Sequence, residues 1–243
     1  MSFHLTNLIT GSEVPVSHIG YADGAQFSRF DEISRSPAQF LSAEPNFYRV
    51  DERTVGLTGT HTFTRTVIVP RGTVLKIMPG TTLSFASGVS LISYGTVLAE
   101  GRRDALITFK ASGPAPWGVF GIVEAPAQSS IRWVQFSNGG DAKVNGMYLS
   151  GMLAAHHSDI RITYSSFSGA TADDALNVKH ANAVITFSDF SRNSADAIDL
   201  DWVTGSVEDS TFESNGNDGI DISGSTLTLV HNIIKHSGDK FIS

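Results

Sequence analysis

A repeat of about 22 residues dominates the last third of the chain. Four segments start with Asp at this spacing, DALNVK, DAIDLD, DGIDIS and DKFIS, and their first residues are Asp174, Asp196, Asp218 and Asp239. Three further rows keep the same register: Phe167/Phe190/Phe212/Ile234, Ile162/Ile185/Val207/Leu229 and Ser165/Ser188/Ser210/Asn232. Repeats of this length predict a solenoid, in which each unit packs only on its neighbours.

The pattern inside each unit indicates strands. Apolar residues lie two apart, which is the period of a strand and not of a helix, while Gly, Asn, Asp and Ser cluster where turns are needed. The fold class predicted is therefore all-β, a single-stranded parallel β-helix of about 22 residues per coil whose equivalent residues stack roughly 4.8 Å apart. The predicted inward ladders are Leu176/Ile198/Ile220 and Val178/Leu200/Ile222. The Ser row is expected at a turn, where side chains satisfy buried polar groups between coils.

The rest of the chain divides at about residue 50. Residues 1–50 do not repeat, and we expect them to form an N-terminal cap on the β-helix of residues 51–243. SPAQFLSAE predicts a short helix in this cap, with Ser36 as N-cap, Pro37 in the first turn and Gln39 completing a capping box. The 31-residue interval from Ile131 to Ile162 predicts a projecting loop around GGDAKVNG. Because Ser243 falls inside a coil, we expect a truncated β-helix that continues into, or packs on, another segment.

Charge and composition restrict the classes of partner that this chain can bind. A net charge of -7 argues against nucleic acid, which needs a basic face. The chain has no Cys and no apolar run of the roughly 20 residues that span a bilayer. No signal peptide is visible at the start, so the protein is expected to be either cytoplasmic or part of a longer exported or cell-surface protein, and the compartment stays open.

Alternation in the repeated strands predicts a polar outward face. If the two Ile/Leu ladders point inward, two outward rows follow, Asn177/Asp199/Asp221 and Lys179/Asp201/Ser223. Asp199 and Asp221 would stack as like charges, which destabilises a sheet unless something compensates. Three outcomes follow: one carboxyl holds a proton at a raised pKa, Ca²⁺ binds between Asp199 and Asp221, or water screens both charges.

Other candidates have competing structural interpretations. The four Asp residues that open the repeats are expected to cap turns, because Asp commonly accepts backbone hydrogen bonds there. Trp202 follows Asp201 and either stacks on sugar rings or packs at a coil edge. His156 and His157 are adjacent and point to opposite faces of a strand, so a metal pair is not expected.

From Thr66 onward the chain resembles right-handed parallel β-helix proteins of the pectate-lyase-like superfamily. VPRGTVLKIMPGTTLSF, PWGVFGI, NSADAIDLDWVTG and GNDGIDISGS followed by GDK are similar to β-helix regions of bacterial proteins associated with spore-coat-kinase-like domains. This resemblance implies that the predicted coil is right-handed.

A partial resemblance links the last two repeats to polygalacturonase-type glycoside hydrolases. That family carries Asn-Thr-Asp-Gly-Ile-Asp and, about one coil later, Gly-Asp-Asp, and here NDGID is followed by GDK. The resemblance implies that Asp218 and Asp239 match the first two catalytic carboxylates. Lys240 stands where the family has its third Asp, and the family's later His and Arg-Lys motifs are absent.

Two classes of function follow from these observations. The first is a binding module whose acidic, polar face takes carbohydrate or a partner, with or without Ca²⁺. The second is a polysaccharide-acting hydrolase, lyase or epimerase. Its candidate acid, base or nucleophilic groups are Lys179, Asp199, Asp201, Asp218, Asp221 and Asp239, and its candidate substrate-binding groups are Asn177, Trp202 and Lys240.

Overall fold

The structure, a computed structural model, describes residues 5–6, 10–14 and 29–243. In this part the chain winds as a parallel β-solenoid of about eight turns of roughly 23 residues, which confirms the predicted fold class. The turns build three long sheets, called sheets 1, 2 and 3 in the order in which the chain enters them.

The strands of each sheet follow the chain in order. Sheet 1 contains Tyr48–Arg49, Thr54–Leu57, Val74–Ile77, Val97–Glu100, Ser129–Arg132, Ile160–Thr163, Asn182–Thr186, Thr204–Glu208 and Thr226–Val230. Sheet 2 contains Thr60–Phe63, Thr82–Phe85, Ile107–Ala111, Val134–Ser137, Ser166–Ser168, Asp189–Ser191, Thr211–Glu213 and Ile233–Lys235. Sheet 3 contains Val67–Val69, Leu91–Ser93, Phe120–Val123, Gly151–His156, Asp174–Lys179, Asp196–Asp201 and Ile220–Ser223.

A stack of phenylalanine rings runs through the core from sheet 2. The predicted row begins at Phe167, whose ring centroid lies 4.6 Å from that of Phe190, and Phe190 lies 5.1 Å from Phe212. The same stack continues towards the N-terminus through Phe136, Phe109, Phe85 and Phe63. These rings are buried, so each coil contributes a large apolar side chain to one continuous core.

The predicted Ser row forms a hydrogen-bonded ladder at the turn between sheets 1 and 2. The backbone N–H of Ser165 donates to Ser188 Oγ at 3.3 Å, and that of Ser188 donates to Ser210 Oγ at 3.1 Å. The Ser210 N–H in turn donates to Asn232 Oδ1 at 3.1 Å. The row therefore satisfies buried backbone donors between coils, as expected from its position.

Helix α2 (Pro37–Ala43) closes the N-terminal end of the core. Ser36 and Gln39 form the predicted capping box. Phe40 is fully buried, and its ring centroid lies 4.9 Å from that of Phe47, which continues towards Phe63. The shorter helix α1 (Phe30–Ile33) precedes α2, and the strands Leu5–Thr6 and Glu13–Val14 pair separately. Neither helix of the described residues is long and apolar enough to cross a membrane.

The insertion between Ile131 and Ile162 forms a β-hairpin. Its antiparallel strands are Ala142–Val144 and Met147–Leu149. Instead of projecting into solvent, the hairpin folds back on sheet 3, because its apolar residues pack against the buried outward side chains Ile68 and Ile92. The hairpin thus covers the apolar outer face of the earlier coils of sheet 3.

Candidate functional site

The candidate site lies where the outer face of sheet 3 changes from apolar to polar. Outward positions of the earlier coils carry apolar residues such as Ile92 and Ala154, and they are buried beneath the hairpin and α1. In the later coils the same columns carry polar residues. The register places Asn177 beside Asp199 and Asp199 beside Asp221, with Lys179 beside Asp201. Both predicted outward rows are therefore present.

The polar patch is defined here as His156, Asp174, Asn177, Lys179, Asp199, Asp201 and Asp221. A hydrogen-bond chain crosses three coils of it. Asn177 Nδ2 donates to Asp199 Oδ2 at 2.8 Å, and Asn177 Oδ1 lies 2.7 Å from His156 Nε2. Because the amide nitrogen is used by Asp199, the amide oxygen accepts, so His156 carries its proton on Nε2.

Two carboxyl groups in the patch hold protons unusually strongly. Burial, followed by the neighbouring Asp199 carboxylate, raises the pKa of Asp174 to about 8, although Ser150 Oγ donates to it at 2.8 Å. Burial, followed by the charge of Asp201, raises the pKa of Asp199 to about 7. Burial also lowers the pKa of His156, which favours the neutral imidazole. The first of the three predicted outcomes, a carboxyl with a raised pKa, is thus the one that the geometry favours.

An ion pair occupies the second outward row. Lys179 Nζ lies 2.7 Å from Asp201 Oδ2, and both side chains are mostly buried. Burial opposes the charged ammonium, yet the hydrogen bond and the charge of Asp201 raise the pKa of Lys179. The lysine is therefore held protonated and neutralised within the patch.

An exposed aromatic ladder borders the patch at the turn that follows sheet 3. His157, His180 and Trp202 stack with ring centroids 4.9 and 4.7 Å apart. All three have positive φ near 50°. Trp202 is 57% exposed, and the next position in the column is Gly224, which adds no side chain over the indole. One face of Trp202 thus stacks on His180, and the other has only the Gly224 backbone near its five-membered ring and is otherwise exposed.

The four repeated Asp residues have different environments. Asp196 Oδ1 accepts from the backbone N–H of Asp218 at 2.7 Å, and Asp218 Oδ1 accepts from that of Lys240 at 2.7 Å. These two residues cap turns, as the structural interpretation predicts. Asp174 instead binds the Ser150 hydroxyl and belongs to the patch. Asp239 is exposed and pairs with Lys240 at 2.6 Å.

The proposed calcium ligands are adjacent but form a small donor set. Asp199 and Asp221 are register partners on neighbouring strands. Calcium takes six to eight oxygen ligands, several of which can be water. Within residues 29–243 and the shorter described segments, no group of three or more His, Asp or Glu residues is placed to hold a metal ion. Calcium binding at this pair stays a prediction.

Two members of the patch were not expected from the sequence. His156 pairs in register with Lys179, and Gly151 with Asp174, across an interval of 23 residues. The 22-residue interval between Asp-initiated segments begins at Asp174, so the repeat does not extend this column upstream to His156. The repeat predicts turn capping for Asp174 as for the other three Asp residues, and only the contact with Ser150 distinguishes it.

Comparison with known proteins finds one family to which part of the chain is similar. Residues 128–242 match the family described as right handed beta helix region, and the matched part includes the whole polar patch. No curated protein and no solved structure matches the chain. The narrower resemblances to spore-coat-kinase-associated regions and to polygalacturonases stay predictions. The solenoid shows that the fold is a parallel β-helix, and the family match, which covers a little under half of the chain, supports it.

Proposed function

We propose that this β-helix binds neutral polysaccharide along the polar patch of sheet 3. The observation that carries the proposal is the open indole face of Trp202 beside a row of hydrogen-bonding side chains. Sugar rings combine apolar C–H faces with hydroxyl groups, so an aromatic ring next to amide and carboxyl groups suits both parts. Neighbouring residues in each row lie on adjacent coils, roughly 5 Å apart along the solenoid axis, and a chain of sugars can follow them.

The charges of the patch favour a neutral glycan over a polyuronate. Asp174 and Asp199 hold protons near neutral pH because their pKa values are raised to about 8 and about 7. The ammonium of Lys179 is already paired with Asp201. A uronate would therefore find no unpaired cation among the residues of the patch, whereas neutral hydroxyls can donate to and accept from its amide and carboxyl groups.

A binding assay tests the proposal. The protein is run through native gels containing a neutral β-glucan, a neutral galactan, alginate or polygalacturonate, with CaCl₂ or with EDTA. We expect retardation by a neutral glycan and about fivefold weaker retention for Trp202→Ala, since a stacked ring contributes on the order of 1 kcal/mol. The matched control is Phe187→Ala, another exposed aromatic at a positive-φ turn, 50% exposed, on a different ladder.

Retention by none of the neutral glycans, or equal losses in Trp202→Ala and Phe187→Ala, would reject the proposal. The calcium arm decides whether Asp199 and Asp221 bind the ion: loss of retention in EDTA that Asp221→Asn reproduces would support it. A partner other than carbohydrate becomes the better hypothesis if no glycan is retained.

A second candidate function, polysaccharide hydrolysis, has one specific observation in its favour. At neutral pH Asp174 is mostly protonated and Asp199 is about half protonated, and the protonated carboxyl is the state that a general acid needs. The lyase version is less suited, because the raised pKa of Lys179 keeps the ammonium protonated and unable to abstract a proton. New reducing ends from a bound glycan, abolished in Asp199→Asn, would establish catalysis; retention without products leaves binding.

A further inference from the structure

The aromatic ladder beside the polar patch loses its side chain at position 224. The register of sheet 3 pairs Asp201 with Ser223, so the residues that follow them, Trp202 and Gly224, occupy one column on adjacent coils. Trp202 stacks on His180 of the coil before it, with an angle of 11° between the two rings. Gly224 stands where the next ring of this column would be.

The backbone conformation does not by itself require glycine there. Gly224 has a φ of 62°, and His180 and Trp202 both adopt a φ of 52° in the same column. In the turn between sheets 1 and 2, Asp209 and His231 carry side chains at φ of 48° and 54°. Since these turns accept other residues with a left-handed backbone, the freedom of glycine to adopt positive φ does not account for its presence at 224.

The indole of Trp202 is what excludes a side chain from position 224. A Cβ at Gly224 would lie 2.8 Å from Trp202 Nε1 and 2.9 Å from Trp202 Cδ1, closer than the roughly 3.5 Å of a favourable contact. Any side chain at this position would therefore displace the indole or cover part of its face. Glycine at 224 keeps the end of the ladder accessible.

The turn around this glycine is anchored to the preceding coil. The Trp202 N–H donates to the Ser223 carbonyl at 2.7 Å. Ser225 Oγ accepts from the Val203 N–H at 2.7 Å and donates to the Leu200 carbonyl at 2.8 Å. Because these bonds fix the backbone on both sides of the glycine, the space over the indole is formed before a ligand binds, and little ordering is needed on binding.

Hydrogen-bonding side chains adjoin this space. Ser223 immediately precedes Gly224 and is exposed, and strand alternation places its side chain on the same outward side as that of Asp221. On the preceding coil, the register partner of Ser223 is Asp201, which immediately precedes Trp202. A ligand on the indole therefore has hydroxyl and carboxyl groups beside it, and a pyranose ring combines an apolar C–H face with hydroxyls at its edge.

We propose that Gly224 is a specificity-determining residue of the polar patch, because the place of its missing side chain receives one pyranose ring of a β-glucan. The sugar stacks on Trp202 as the next ring of the ladder, and its hydroxyls bond to Ser223 and Asp221. In β-linked glucose every ring hydroxyl is equatorial, so both faces of the ring present only C–H groups to the indole. This inference rests on the proposed function and names the contact that holds one sugar unit.

Cellopentaose, a soluble β-1,4-linked glucose oligomer, is the probe. It is titrated into the full chain, and the indole N–H signal of Trp202 in NMR spectra, identified by its loss in Trp202→Ala, reports the contact. We expect the parent to bind with a shift of this signal. Gly224→Asn should bind about fivefold more weakly, as Trp202→Ala does, because asparagine tolerates a left-handed backbone and its side chain takes the place of the sugar. In the Trp202→Ala background, Gly224→Asn should lower the affinity no further.

Ser223→Ala tests the same placement without any demand on the turn. It removes an exposed hydroxyl beside the indole, and we expect about threefold weaker binding of cellopentaose through the loss of one hydrogen bond.

Gly88→Asn is the matched control. Gly88 is also an exposed turn glycine, its φ is 69°, and a Cβ there meets no atom within 4 Å, so its substitution should leave binding unchanged. Native-like spectra of both Asn variants show that folding is intact.

Three results would overturn the inference: no binding of cellopentaose by the parent, parent-like affinity in Gly224→Asn or in Ser223→Ala, or an equal loss from Gly224→Asn with and without the Trp202 indole. If the parent is still retarded by a neutral glycan in native gels, and Trp202→Ala is not, the proposed function stands while this inference fails. If no neutral glycan is retained, both are rejected.

Discussion

Asp196 and Asp174 occupy the same position of the repeat and do different chemistry. The Asp196 carboxylate accepts hydrogen bonds from the Asp218 backbone and from Asn217 Nδ2, both at 2.7 Å. Asp174 meets the Ser150 hydroxyl on the preceding coil and the Asp199 carboxyl on the following one. A residue that recurs in a solenoid thus takes its role from the neighbours in its column, and those neighbours are not repeated.

The raised pKa of Asp199 predicts a specific dependence of stability on pH. The folded-state pKa of about 7 lies above the ordinary value of 3.8 for an Asp carboxyl, so the folded protein binds the proton more tightly than the unfolded chain. This contribution to the free energy of unfolding is present below pH 4 and is lost as pH rises towards 7. We expect Asn at position 199, which cannot ionise, to raise the free energy of unfolding at pH 8 by on the order of 1 kcal/mol.

Urea denaturation at pH 5 and pH 8 measures this effect. Asp199→Asn should gain more at pH 8 than at pH 5, because the native carboxyl is still protonated at the lower pH. Asp104→Asn is the control for the loss of one carboxyl group, since Asp104 is exposed and lies outside the polar patch. An equal change at both pH values would show that the carboxyl of Asp199 does not ionise differently on folding.

At the scale of elements, alternation predicted which side chains face outward but not which outward face is covered. Asn177, Asp199 and Asp221 were placed correctly because a parallel strand pair keeps its register from one coil to the next. Whether Ile92 or Ala154 meets solvent depends on the hairpin, which the sequence indicated only as an insertion. The Asn145-Gly146 pair, between alternating apolar residues, was the signal for a hairpin there.

The hairpin packs closely on sheet 3 because the residue beneath it, Gly121, has no side chain. A Cβ at Gly121, which faces outward on sheet 3, would lie 2.7 Å from a Leu149 methyl and 2.9 Å from an Ile92 methyl. We therefore expect Gly121→Ala to lower the free energy of unfolding by about 1–3 kcal/mol through overpacking. Limited proteolysis should also cut the hairpin faster, since its packing on sheet 3 is weakened.

Gly113→Ala provides the comparison, because a Cβ at Gly113 meets no atom within 4 Å. Its denaturation midpoint should stay close to that of the parent. If Gly121→Ala were as stable and as resistant to protease as Gly113→Ala, the hairpin would not be held by this contact.

For the whole molecule, the coils that could be predicted from the sequence are those in which the repeat interval is constant. In the last coils sheet 3 pairs Leu176 with Ile198 and Ile198 with Ile220, each at the predicted interval of 22. In the earlier coils Leu91 pairs with Phe120 across 29 residues, and Phe120 with Leu153 across 33. Insertions at the turns hide the period there, although the strands stack in the same way.

Because each coil packs only on its neighbours, a defect in the core should spread along the axis by a limited distance. Phe190 stacks between Phe167 and Phe212, so Phe190→Ala removes a fully buried ring and should cost about 3–5 kcal/mol. Amide hydrogen exchange should accelerate most in Asp189–Ser191 and its two partner strands in sheet 2, and least in the first coils.

Phe187→Ala, which removes a half-exposed ring three residues earlier, should change exchange little. Uniform acceleration from the first coil to the last would instead show that the solenoid unfolds as one cooperative unit, and that stability is not the sum of contacts between neighbouring coils.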